Sequence, residues 1–176
     1  MAPFGFGRTK DEPGFAEVYL ELRSLVLGLE PSAADIRPTP ELPDVWGVVV
    51  DWGTDNGVGT FVALADGTGS MYTSTGGGTI GGQGQPALVD AGRRLLAVAE
   101  AVHGDLQPAA RLDRPKLREV RYWILTYHGA RTAAHGPDGP PDGDATLAAL
   151  GDAFQDYVTA FRLLAEAQSP TPPANG

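Results

Sequence analysis

The chain contains no cysteine. That excludes disulfides, thiolate metal ligands and cysteine nucleophiles together. Lysine is nearly missing too, since eleven of the thirteen basic residues are arginine. Acids outnumber bases 22 to 13, for a formal charge of −9 and a pI near 4.6. A general affinity for nucleic acid or for an anionic membrane is disfavoured by that balance. No apolar run approaches the length of a membrane span, and "MAPFGFGRTKDEPG" lacks the apolar core of a signal peptide. A cytoplasmic location is the expectation, and the bias toward Arg, Ala, Gly and Pro fits a GC-rich bacterial genome.

At 176 residues with 42% hydrophobic and 20% charged side chains, the sequence is sized for one domain with a sizeable core. Residues 1–14 read as a flexible lead-in, 15–167 as the domain and 168–176 as a disordered proline-rich tail. Phe15, Val18, Tyr19, Leu22, Leu25 and Val26 recur at helical spacing, and Gly28 and Pro31 stop the pattern. A connector with four prolines (31–44) leads to three strand patterns, 45–52, 58–65 and 70–75, joined by "TDNG" and "DGTG" turns. In the first turn Asp55, Asn56 and Gly57 are expected to supply left-handed residues. Pro86 opens a second helix that runs to His103 with Gly104 as its stop. Two further strands are predicted at 117–128 and 130–135, with a loop at 136–144 between the last strand and a third helix. Asp144 and Thr146 are candidate caps of that helix. The order α-βββ-α-ββ-α predicts an α+β fold, a five-stranded antiparallel sheet with three helices.

"SMYTSTGGGTIGGQGQP" (70–86) is the most unusual stretch, with six glycines from Gly76 to Gly84. Gly76, Gly78 and Gly81 satisfy G-x-G-x-x-G between a strand and a helix, a spacing at which backbone amides cradle anions. The candidate ligand-binding residues are therefore Ser74, Gly76, Gly77, Gly78, Thr79, Gly81 and Gly82. The surrounding antiparallel meander lacks the βαβ context of a dinucleotide fold, and Gly82 stands where a P-loop has lysine. A sharp connection from strand to helix is the plainer reading of the same residues. Gly78→Ala separates the two in principle, because an anion cradle should lose its ligand whereas a protein-binding chain should tolerate the change.

Other chemistry is sparse. Ser74 has no nucleophile elbow around it, so no catalytic residue is assigned. His103, His128 and His135 show no short metal-ligand spacing, and "DWGTDNG" departs from a calcium loop, so no metal or cofactor is expected. "RLDRPKLREVR" (111–121) is locally basic and reads as a solvated connector. Trp123, Leu125 and Tyr127 share one parity on the fourth strand and Tyr122, Ile124 and Thr126 the other, so that strand should be covered on both faces.

The segments "PDVWGVVVDWG", "GTFVALADGTGSMYTSTGGGTIGG" and "VRYWILTYHG" resemble a family of bacterial proteins known only as hypothetical ones. The resemblance spans roughly residues 15–165 and implies a shape, with no activity, cofactor or site residue. More loosely the chain is similar to profilin-like and roadblock-like α/β scaffolds, which mostly bind or regulate proteins. Those place two strands before the middle helix and three after, where this chain reads three and two. The expected function is a non-enzymatic protein-binding module: a regulator, an adaptor or an immunity-type inhibitor. Its expected partner is another protein rather than nucleic acid or membrane, and self-association is left open. The alternative is a small anionic-ligand or phosphate binder, or an enzyme, using the loop 76–84.

Overall fold

The computed structural model describes residues 14–168. The expected lead-in and tail lie, apart from Gly14 and Gln168, outside the described residues. Helix α1 spans Glu17–Leu27. A single 3-10 turn, Pro31–Ala34, then begins the proline-rich connector. Strands β1 (Val45–Gly53), β2 (Val58–Leu64), β3 (Gly69–Thr73) and β4 (Gly78–Thr79) precede α2 (Pro86–Val102). Strands β5 (Gln107–Pro108), β6 (Val120–Thr126) and β7 (Gly129–His135) follow, and α3 (Ala145–Gln168) closes the described chain.

All seven strands form one antiparallel sheet in the order β4-β3-β2-β1-β6-β7-β5. The class and the helix order match the sequence reading, but the sheet has seven strands rather than five. The two additions are β4 and β5, each two residues long and each at a sheet edge. Neither carries a two-residue period long enough to be read from sequence. Each covers only two residues of its neighbour, so β7 is paired by β5 at Arg131 and Thr132 alone.

Strand β1 is apolar at both parities because it lies at the centre and is covered on both faces. Val48 and Val50 pack with Leu88, Leu95, Leu150 and Phe154 beneath α2 and α3. Trp46 and Val49 pack with Tyr19, Val26 and Trp123 beneath α1, together with Ile36 from the connector. The parity of β6 resolves as expected, with Tyr122 and Ile124 in the first layer and Trp123 and Leu125 in the second. The Asp144 carboxylate accepts the Leu147 amide at 2.9 Å and caps α3. No described helix is long and apolar enough to cross a membrane.

The β1–β2 turn departs from expectation. None of Asp55, Asn56 and Gly57 has a positive φ. Thr54 replaces the left-handed geometry with side-chain bonds: its hydroxyl donates to the Gly57 carbonyl at 3.0 Å and accepts the Asn56 amide at 3.2 Å.

Candidate functional site

The glycine-rich stretch is a hairpin followed by a turn into α2. After β3 the chain reverses, with the Gly76 and Gly77 amides donating to the Thr73 carbonyl (2.8 Å) and hydroxyl (3.0 Å). Strand β4 then pairs Thr79 with Met71 and Gly78 with Tyr72. Gly81 adopts φ +79°, and a 3-10 turn at Gly82–Gly84 leads to Pro86. The protein's own packing demands two of these glycines. A Cβ at Gly78 would overlap the Met71 carbonyl oxygen, and one at Gly82 would overlap the Leu88 side chain. The amides at the helix start are largely committed as well. Gln85 donates to Gly82, while Leu88 and Val89 donate to the Gln85 carbonyl. Ser74 is buried and its hydroxyl accepts the Val58 amide at 3.0 Å. Ser74, Gly76, Gly77, Gly78, Thr79, Gly81 and Gly82 are thus brought into one continuous segment whose bonds run mostly to itself. Gly78→Ala cannot serve as the discriminating variant, because it strikes the hairpin before any ligand.

A buried polar network lies on the α1 face. The Arg23 guanidinium, on the inner side of α1, donates to the Asp51 carboxylate at 2.7–3.2 Å, and its Nη2 also reaches the Asp113 carbonyl at 2.8 Å. Asp51 further accepts the Thr60 hydroxyl at 2.7 Å and the Trp123 indole N–H at 2.8 Å. With Thr60 donating to Asp51, the Tyr19 hydroxyl must donate to Thr60 across their 2.7 Å contact. Burial, with the Asp51 charge adding to it, pushes the Tyr19 hydroxyl up to about 12. Every carboxylate oxygen has a donor and nothing is left to meet a substrate, so the network clamps α1 to the sheet.

An open cleft of about 600 Å³ lies between the 136–144 loop and the first turns of α3. Trp52, Tyr122 and Phe154 form an aromatic floor, with Phe154 edge-on to both other rings at 6.1 Å. His135 lies 6.0 Å from the Tyr122 ring and donates from Nδ1 to the Gly136 carbonyl at 2.7 Å. Pro137, Pro140 and Pro141 form the rim, and the lining carries Asp142, Asp144 and Asp152 with no lysine or arginine. Burial raises the Tyr122 hydroxyl above the ordinary tyrosine range, and the Asp152 charge adds to that. Gly151 opens onto the same space in the middle of α3. A Cβ there would meet only the Tyr122 hydroxyl at 3.7 Å and Pro140 at 4.0 Å, so packing does not require glycine at that position.

Sequence reading did not single out this cleft. Trp52, Tyr122, His135 and Asp152 come from four separated segments, and the 136–144 loop has no hydrophobic period. The available signal was a glycine and an aspartate within an otherwise apolar helical repeat. No family model, curated protein or solved structure matches the chain.

Proposed function

We propose that this protein is a non-enzymatic protein-binding module that accepts a basic side chain of its partner in the cleft between the 136–144 loop and α3. One observation carries the reading: the lining joins three aspartates to the partly exposed Trp52 ring and holds no lysine or arginine. Carboxylates beside an aromatic ring favour a guanidinium or ammonium group, chiefly through charge-assisted hydrogen bonds, with cation–π attraction at Trp52. The net charge of −9 would speed encounter with such a partner.

The test is an NMR titration of the protein with a short arginine-rich peptide and with its glutamate counterpart. The arginine peptide should shift the amides of Trp52, His135, Gly151 and Asp152 and bind more weakly as salt rises. Asp152→Asn, at an exposed position, should weaken it several-fold while leaving the fold intact. Equal binding of the glutamate peptide, or shifts confined to residues 74–84, would overturn the reading, the latter in favour of the anion-binding alternative.

A further inference from the structure

At the far end of β1 from the cleft, four polar side chains of three distant segments converge. Asp44 immediately precedes β1, Glu100 and His103 are one turn apart at the end of α2, and His128 occupies the turn between β6 and β7. Trp52 is the eighth residue along that strand, on the order of 25 Å from this end. The backbone fixes the group in place. Glu100 Oε2 accepts the amides of Val45 at 2.7 Å and Asp44 at 3.2 Å, and the Tyr127 amide donates to the Asp44 carbonyl at 3.0 Å.

The other Glu100 oxygen faces the His103 ring. His103 Nε2 lies 3.7 Å from Glu100 Oε1 and 3.5 Å from Asp44 Oδ2. One donor atom from each of Asp44, Glu100 and His103 lies within 4.8 Å of the others. An imidazolium drawn to a carboxylate by a hydrogen bond closes to roughly 2.7–2.9 Å. The observed separations are longer than that. They approach the edge of a tetrahedron about an ion with ligands at 2.0–2.2 Å, roughly 3.3–3.6 Å.

The ring's orientation adds to this. His103 Nε2 faces the two carboxylate oxygens and makes no hydrogen bond within bonding distance, while Nδ1, on the other side of the ring, is buried without a partner among the described residues. Nε2 is therefore the ring's ligand atom, set against one oxygen of each carboxylate. His128 Nε2 lies 3.7 Å from Asp44 Oδ1 on an exposed turn, where one side-chain rotation would bring it toward the group.

We infer that Asp44, Glu100 and His103 form a binding site for a divalent transition-metal ion of the zinc type, with His128 as the fourth side chain. Mixed imidazole and carboxylate ligands without sulfur suit Zn²⁺, and Co²⁺ in the same geometry. Bound there, the ion ties the C-terminus of α2 to the start of β1 and to the β6–β7 turn. The inference does not depend on the cleft or on the function proposed for it.

The probes are ZnCl₂ and CoCl₂ added to the intact chain at neutral pH. Zinc should bind one ion per chain and raise the melting temperature, and Co²⁺ should give the intense visible bands of a tetrahedral site. His103→Ala should weaken zinc binding at least tenfold. Asp44→Asn, which leaves the Glu100 bonds to the backbone in place, should also weaken it if His103→Ala folds poorly. His128→Ala should lower affinity less and change the Co²⁺ spectrum. No melting shift and no calorimetric heat with either ion at millimolar concentration would overturn the inference. So would zinc binding of wild-type affinity in both the His103 and Asp44 variants.

Discussion

Two polar constellations on opposite sides of the sheet use similar chemistry to opposite ends. In the Arg23–Asp51 network every carboxylate oxygen has a donor, and the partners come from α1, β2 and β6. In the Asp44–Glu100–His103 group the contacts to the imidazole are 3.5 and 3.7 Å, and neither His103 Nδ1 nor the Tyr127 hydroxyl has a partner among the described residues. The first is sealed and serves the fold. The second is organised without being satisfied, which is the arrangement a binding site needs before its ligand arrives. A similar contrast separates the glycine-rich hairpin, which bonds mainly to itself, from the cleft under the 136–144 loop.

Removing one member from each constellation should expose the difference. Asp51→Ala strands the Arg23 guanidinium in a position that is 6% exposed. Breaking a buried pair in this way costs about 3–5 kcal/mol. That is a large part of a small domain's stability, and urea unfolding should show a far lower midpoint or no folded protein. His103→Ala removes no hydrogen bond among the described residues, and without added metal its midpoint should stay within about 1 kcal/mol of wild type. Comparable losses from both substitutions would erase the distinction.

Alkaline pH tests the sealed side in a second way. Tyr19, Tyr122 and Tyr157 all hold their protons more tightly in the folded chain, first because they are buried. Tyr157 additionally donates to the Val62 carbonyl at 2.5 Å. A group whose folded pKa is raised contributes stability in full below its unfolded value. That contribution is lost as pH climbs through the folded one. For Tyr19 the window runs from about 10 to about 12. Its share is about 2–3 kcal/mol at most. Stability should therefore be flat up to pH 10 and fall steeply above it. Tyr19→Phe should remove part of the slope, and an unchanged slope would mean that Tyr19 ionises as freely in the folded chain as in the unfolded one.

What could be read from sequence follows from the range over which each signal acts. Helices and long strands were legible because Leu88, Leu95 and Val98, or Trp123 and Leu125, repeat within one element. The two edge strands were not, because two residues carry no period. The Arg23–Asp51 pair left only the faint sign of a charge within each apolar pattern, and its partners lie 28 residues apart. Glu100 and His103 stood at i and i+3 on a predicted helix, yet the third ligand sits 56 residues upstream of Glu100. The glycine run reads in sequence as a sharp connection from strand to helix, whereas the chain first forms a hairpin through β4. Its hairpin pairing could not be seen until Gly78 was set against Tyr72.

The glycines carry the comparison to its smaller effects. Gly78→Ala forces a Cβ into the Met71 carbonyl and should cost about 1–3 kcal/mol, read as a lower melting temperature. Gly84→Ala, with open space at its Cβ and no positive φ, should be close to neutral. A ligand of the 76–84 loop that requires bare backbone would be lost in the Gly84 variant without the confusion of misfolding.

Gly151→Ala is the most delicate case. Alanine in a helix interior is favoured over glycine by about 1 kcal/mol, and the added methyl would sit at ordinary contact distance from Tyr122 and Pro140. The variant should melt slightly higher than wild type while its cleft is narrowed. If it also binds an arginine-rich peptide less well, stability at this position has been given up for the opening. If stability rises and peptide binding is untouched, Gly151 is no part of a binding surface and the opening beside it serves no contact. A fall in stability would instead mean that the 136–144 loop packs against α3 more tightly than the 3.7 and 4.0 Å clearances allow.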